Sequence, residues 1–239
     1  MKLIIDIGNT SSKVAIFDGE EIIKHQILSK LTLADVILFA KKHAISASII
    51  SSVKEKDSIT NELIRHFNAL FLTHKIAIPI FTNYKTPETL GKDRIAAIVG
   101  THHQYPKSNI LVIDAGSCIT FDFFIDGKYC GGRISPGLKM RYDALHTFTN
   151  QLPQLGISNA YFTIGNDTNS SITSGVQQGA IDEMNTVVDT FRKENKDSVV
   201  ILCGGDHKFF DKHLKNSIFA DPFIVIKGLN IILELNAKE

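Results

Sequence analysis

Residues 3–19 read LIIDIGNTSSKVAIFDG, and residues 111–127 read LVIDAGSCITFDFFIDG. Asp6/Asp114, Gly8/Gly116, Asp18/Asp126 and Gly19/Gly127 stand at one offset of 108 residues, and Leu3/Leu111 and Ile5/Ile113 repeat with them. Self-similarity at a fixed offset is the mark of a repeat. In each copy an apolar run ends at an Asp, and a small glycine-containing turn follows. A second strand-like run (Val14–Phe17, Phe121–Ile125) then reaches an Asp-Gly pair. Asp-Gly is a favoured hairpin turn because both central residues tolerate positive φ. Each half is therefore expected to open with three antiparallel strands, the Asp lying at the first hairpin turn.

Outward from these two stretches, helix and strand patterns alternate. Leu33, Val36, Ile37 and Ala40 predict a helix over 32–43, capped through Thr32 and Asp35. Ile59, Leu63, Phe67 and Leu70 predict another over 57–70, and Ile95, Ile98 and Val99 a third over 93–103. Further helices are expected over 137–149, 174–195 and 229–235. Buried strands are expected at Ile49–Ile50, Ile76–Ile80, Val199–Leu202 and Phe223–Ile226. Strands mixed with helices in two similar halves imply an α/β chain of two duplicated domains with a cleft between them. The break at Tyr105-Pro106-Lys107-Ser108-Asn109 sets the halves at 1–108 and 109–239.

Composition narrows the function. The 239 residues are 44% hydrophobic and 21% charged, an ordinary globular mix. Lys and Arg number 26 against 25 Asp and Glu. This balance argues against a protein that coats nucleic acid or an anionic membrane, both of which call for a basic surplus. The three cysteines, Cys118, Cys130 and Cys203, have neither C-x-x-C nor metal-like spacing. A reducing cytosol fits them better than a disulfide framework. Asp6 interrupts what would be a signal peptide's apolar stretch, and nothing approaches the ~20 apolar residues of a membrane span. A soluble, cytoplasmic protein is expected.

Four segments offer chemistry. In Asp6-Ile7-Gly8-Asn9-Thr10-Ser11-Ser12-Lys13, Gly8 lets backbone N–H groups approach an anion, and the hydroxyls and Asn9 add neutral donors. Asp6 is suited to a divalent cation and Lys13 adds charge, which together suit a nucleoside triphosphate with its metal. A plain β-turn has much the same composition. Asp114-Ala-Gly-Ser117 repeats the equipment, or is a structural duplicate only. In Tyr84–Arg94, Gly91 precedes Asp93 and Arg94 at a helix start. There Asp93 is either a helix cap or the acceptor of a substrate hydroxyl's proton, with Arg94 for a carboxylate. Gly131–Gly137 reads as a turn-rich connector, and Cys203-Gly204-Gly205-Asp206 follows a buried strand, a common place for a ligand. His102-His103 reads as a helix-surface pair, since adjacent residues face apart.

Together these motifs resemble the type III pantothenate kinase family of the acetate/sugar kinase, heat-shock chaperone and actin superfamily. They are D-x-G-N-T-x-x-K at Asp6–Lys13, Y-x-x-P-x-x-x-G-x-D-R at Tyr84–Arg94, D-x-G-[TS] at Asp114–Ser117, G-G-x-I-x-P-G at Gly131–Gly137, and a Thr-then-S-G segment at Thr168–Gly175. The second and fourth point to this family in particular. The resemblance implies two ribonuclease H-like, actin-like ATPase domains. It implies that Asp6–Lys13 and Ser117 bind ATP phosphates with Mg²⁺ at Asp6, and that Asp114 binds K⁺ or NH₄⁺. Pantothenate would be held by Tyr84, Gly91, Lys92, Asp93, Arg94 and Thr168, with Asp93 as catalytic base, in a homodimer. The implied reaction makes 4′-phosphopantothenate for coenzyme A synthesis. Alternatives are a transcriptional accessory factor on the same fold, or a kinase for another small hydroxy acid. One departure is Cys118, which puts a larger, oxidisable side chain where the family's D-x-G-T-A-x-T has Ala.

Overall fold

A computed structural model describes residues 1–54, 56–160, 162–215 and 218–237. Strands β1 (Lys2–Ile7), β2 (Ser12–Asp18) and β3 (Glu21–Leu28) form an antiparallel meander. Strand β4 (Ala47–Ser52) runs parallel to β1, and β5 (Leu70–Phe71) parallel to β4, giving the order β3-β2-β1-β4-β5. Leu3, Ile5, Ile7, Val14 and Ile16 pack with Val36 and Phe39 of helix α1 (Leu33–Ala40) and Leu63 of α2 (Ser58–Phe67). Ile4 and Ala15, which point the other way, are fully buried too. A sheet covered on both faces explains why β1 is a continuous apolar run rather than an alternating one.

The second sheet has the order β11-β10-β7-β8-β9-β6. Its strands are β6 (Phe81–Thr82), β7 (Ile110–Ala115), β8 (Cys118–Ile125), β9 (Lys128–Pro136), β10 (Val199–Cys203) and β11 (Phe219–Ala220). Apart from β6, the order β9-β8-β7-β10-β11 reproduces β3-β2-β1-β4-β5, and β10 is parallel to β7 as β4 is to β1. The sequence repeat is thus a repeat of topology. By compactness the chain falls into two units, one of Met1–Lys107, Phe124–Gly131 and Phe223–Glu239, the other of Ser108–Phe123 and Gly132–Pro222.

In the first unit, α3 (Lys92–Gln104) packs on α8 (Ile224–Asn236) at backbone contact. A Cβ on Gly228 would fall 1.7 Å from the carbonyl oxygen of Ala96, and one on Gly100 would fall 2.5 Å from that of Ile224. Only glycine at both positions permits so close a crossing.

In several places the structure departs from the pattern reading. Ile76, Ile78 and Ile80 are half-buried between exposed Ala77 and Pro79, but they join no ladder, and pairing is limited to Phe81–Thr82. Pro79 has no N–H to give a ladder. Phe223–Ile226 is the start of α8 rather than a strand; a short, fully buried apolar run reads the same either way. Gly131–Pro136 is strand, part of β9, and Gly137 is the N-cap of α4 (Leu138–Thr147). The helix expected over 174–195 begins earlier, as α5 (Thr168–Thr173), and passes through a π turn (Ser174–Gln178) into α6 (Gly179–Glu194). Of the two Asp-Gly pairs, Asp126-Gly127 has both residues at positive φ. In the first hairpin Asp18 is still strand, and positive φ falls on Gly19 at the first loop position. Among the described residues no helix is long and apolar enough to cross a membrane.

Candidate active site

Asp6 and Asp114 do not sit in the turns that follow them. Each is the next-to-last residue of its strand, β1 or β7. Asp6 is buried, opposite Lys13 on β2 and beside Ser51 on β4. Ser51 is fully buried, and its Oγ has no hydrogen-bond partner among the described residues. The turn closes through the N–H of Gly8, which donates to the Ser11 carbonyl at 3.1 Å. Asn9 and Thr10 are exposed, Gly8, Ser11 and Lys13 half-buried, and Ile7 and Ser12 buried. Exposed backbone and side-chain donors next to a buried carboxylate suit a phosphate chain accompanied by a cation. Mg²⁺ commonly takes one or two carboxylates and completes its shell with phosphate oxygens and water. Asp6 fits that use. Among the described residues no cluster of three His, Cys, Asp or Glu would hold a metal by itself.

The same unit carries the start of α3. Gly91 is its N-cap and makes no side-chain cap bond. Asp93, in the first turn, accepts from the N–H of Arg94 at 2.9 Å through Oδ1. Asp93 is therefore not the N-cap, although it occupies one of the amide donors a helix start leaves over. A Cβ on Gly91 would lie 2.6 Å from that Oδ1 and 3.2 Å from Arg94 Cδ. A side chain at position 91 would therefore push aside the carboxylate and the arginine stem folded against it. Arg94 is buried, at 7% exposure. Lys92 Nζ donates to the Leu90 carbonyl at 2.9 Å. Burial pulls its pKa down, and the charges of Glu88 and Asp93 push it back up. Tyr84 stands with its ring 6.0 Å from that of buried Tyr129 and faces Gly131, whose φ of 97° suits glycine. His102 is packed on Phe124 at 4.6 Å between centroids, while His103 meets Glu20.

In the second unit, Asp114 pairs with Cys203 across β7 and β10. Gly204, with φ 92°, is pressed against this strand end: a Cβ there would fall 2.2 Å from the Ala115 carbonyl oxygen and 2.5 Å from Asp114 Oδ1. The N–H of Asp206 donates to Ala115 at 2.9 Å, and burial raises the pKa of Asp206 against the opposing charge of His207. Ser117 is exposed, and its carbonyl accepts from Gly137 at 3.2 Å. Carboxylate and carbonyl oxygens are the donors a hard cation takes, and one of each comes to this strand end. Thr168 is exposed at the first position of α5, after the capping box formed by Asp167 and Ser170.

Sequence reading passed over one feature of the first unit. A cavity of about 350 Å³ opens beyond the carboxyl ends of β4 and β5, lined in part by Val53, Lys54, Lys56, His74 and Lys92. No motif marks it. The available signal was positional, since ligands in α/β sheets gather outside the carboxyl ends of the strands.

Compared with known proteins, residues 2–190 match the family described as type III pantothenate kinase. The chain belongs to the type III pantothenate kinase family. A type III pantothenate kinase of Phocaeicola vulgatus is 42% identical over 241 aligned positions, covering 100% of both chains. Among solved structures, a protein from Campylobacter jejuni described as a Baf family transcriptional activator aligns with TM-score 0.62 at 22% identity, over 99% of this chain and 100% of that one. The activator of 2-hydroxyisocaproyl-CoA dehydratase from Clostridium difficile, solved with bound ADPNP, aligns with TM-score 0.57 at 12% identity, over 99% and 95%. At such identities the two structures speak for the fold alone. That fold is the duplicated α/β architecture of actin-like ATPases.

Proposed function

We propose that the protein transfers the γ-phosphoryl group of ATP to the 4′-hydroxyl of pantothenate, giving ADP and 4′-phosphopantothenate, the first step of coenzyme A synthesis. The observation that carries this reading is the family match over most of the chain, joined to a carboxylate, Asp93, held at a helix start beside a buried arginine. Asp93 accepts the proton of the attacking hydroxyl. Its bond from the Arg94 N–H fixes one oxygen and thereby the direction of the other. Arg94 and Lys92 attract the acid, and Tyr84 and Gly91 shape its pocket. Ile7, Gly8, Asn9, Thr10, Ser11, Ser12 and Lys13 cradle the phosphates, and Ser117 adds a hydroxyl. Asp6 would hold the Mg²⁺ that accompanies ATP, which would neutralise charge on the phosphates. The remaining catalysis is positioning, as is usual for phosphoryl transfer.

The finer reading assigns a monovalent cation, K⁺ or NH₄⁺, to Asp114. Its support is the Asp114 carboxylate and the Ala115 carbonyl oxygen, which come together at the strand end against which Gly204 is packed. The halves 1–108 and 109–239 are the two copies of the duplication. The working unit is a homodimer in which Thr168 completes the partner's pantothenate site. Support comes from the apolar side chains around α4 and ahead of α5: Phe148 and Ile164 are each 85% exposed, and Met140 and Ile157 are exposed with them. The decisive assay is ADP release coupled to mass spectrometry of the product, with pantothenate and several other hydroxy acids as acceptors. Phosphopantothenate is expected; its absence under metal-replete conditions would remove the kinase reading.

A further inference from the structure

The cavity beyond β4 and β5 is rich in lysine. Lys54, Lys56 and Lys92 line it with His74 beside them, and among the described lining residues the one carboxylate is Glu88. Its walls are built rather than incidental. The Ser52 hydroxyl accepts from the N–H of Lys54 at 3.0 Å and donates to the Lys54 carbonyl at 3.0 Å, which fixes the backbone that presents this lysine. Lys56 Nζ stands 4.2 Å from the centroid of Phe71, so this ammonium is held on an aromatic face of the wall. Asp57 is within electrostatic reach of Lys54, but its carboxylate is already engaged by the amide and hydroxyl of Thr60 at 2.8 and 2.7 Å.

The cavity's position relates it to the two motifs of the same unit. The N–H of Val53, a lining residue, donates to the carbonyl of Ile7 at 3.1 Å, so one wall is tied to the start of the phosphate turn. Another wall is Lys92, the residue next to Asp93. Volume then decides between the two anions that the reaction brings. About 350 Å³ is at the small end of the ~300–1,000 Å³ range of ligand pockets. It suits a small acid better than a nucleotide. Val53 and Phe71 add apolar surface, which a bare phosphate site would not call for. Because Lys92 lines the cavity and precedes Asp93 in the chain, the cavity adjoins the segment that carries the proposed base.

We infer that this lysine-lined cavity receives the carboxylate of the acceptor, and that Lys54 is a specificity-determining residue that selects an acid over its neutral analogue. The inference rests on the pantothenate reading. It extends the acceptor site from the Tyr84–Arg94 segment to a stretch, Lys54–Lys56, that no motif marks; Glu55 lies outside the described residues. The other anion a lysine could meet here is the ATP phosphate chain, and the experiment separates the two.

The experiment measures steady-state kinetics of wild type, Lys54→Met and Lys54→Arg. Both pantothenate and ATP are varied, and the inhibition constant of pantothenol, which has a hydroxymethyl group in place of the carboxylate, is measured as well. Loss of a charge-assisted contact predicts that Lys54→Met raises the KM for pantothenate about ten- to a hundredfold while kcat changes little. The KM for ATP and the inhibition constant of pantothenol are expected to stay within twofold, and Lys54→Arg to recover most of the pantothenate affinity. Lys54 is exposed, so the variant should fold, and an unchanged melting temperature checks this. Equal losses on pantothenate and pantothenol, no loss on either, or a loss confined to ATP would each overturn the inference while leaving the kinase reading intact. A wild type inactive on pantothenate would overturn the kinase reading itself.

Discussion

The carboxylate of Asp93 accepts a hydrogen bond from the N–H of Arg94, its own neighbour, at 2.9 Å. One oxygen is thus committed to the helix start, and the group is held in one orientation. Asp93→Asn keeps an acceptor for that amide but removes the base. Turnover should fall about 10²–10⁴-fold, with pantothenate affinity changed far less. The melting temperature should stay close to wild type, because the amide remains satisfied. Near-normal turnover in this variant, measured by ADP release, would show Asp93 to be a structural residue only.

Asp114 and Gly204 give a second test. A phosphate chain bound beside the end of β7 would meet the Asp114 carboxylate, and a cation must offset the repulsion. With a monovalent ion at Asp114, wild-type activity should depend on K⁺ or NH₄⁺ and fall sharply in Na⁺ alone. Asp114→Asn should lose that dependence. Rates in K⁺ and Na⁺ at matched ionic strength measure it, and equal wild-type rates would contradict the assignment.

Asp57 caps α2 through the Thr60 amide, and its pKa is lowered chiefly by that bond and by the Thr60 hydroxyl. A carboxylate with a depressed folded pKa contributes stability above its unfolded pKa and loses it as pH falls through the folded one. At pH 7, Asp57→Ala should cost about 1 kcal/mol. The difference between wild type and variant should shrink as pH drops below the ordinary value of 3.8. Asp57→Asn, a cap without charge, should show little of this dependence. Thermal melts from pH 7 to 3 measure all three.

What was legible in the sequence depended on how local its cause is. The two meanders and their order could be read because Asp6/Asp114 and Gly8/Gly116 recur with the same apolar spacing, and spacing is a property of the strand itself. The Thr32 cap could be read because its bond to the Asp35 amide spans three residues. Phe223–Ile226 could not, because whether an apolar run coils or extends is decided by what buries it, here the glycine-lined contact with α3. The same holds at Gly131–Pro136, where glycines that signal turns are drawn into β9. In the site, the glycine and aspartate motifs were visible as motifs. The lysine cavity was not, because Lys54 and Lys92 are brought together by folding, and lysines on a sequence resemble any solvated face.

The last prediction concerns Thr168 and the dimer. Thr168 is exposed at the start of α5, in a region where Phe148 and Ile164 are largely bare. A hydroxyl so placed is available to another chain, and a two-fold pairing would create two equivalent sites across one interface. If each pantothenate site takes Asp93 from one chain and Thr168 from the other, two inactive variants should complement. Asp93→Asn and Thr168→Trp are each expected to be inactive as homodimers. Mixed and allowed to exchange, they should form heterodimers with one site carrying both lesions and one carrying neither. A statistical mixture is half heterodimer, so activity should return to about a quarter of wild type per chain. The readout is ADP release after exchange, with mixed dimers verified by differently tagged chains. No recovery despite demonstrated exchange would mean that each site lies within one chain. A fully active monomer by light scattering would remove the dimer altogether.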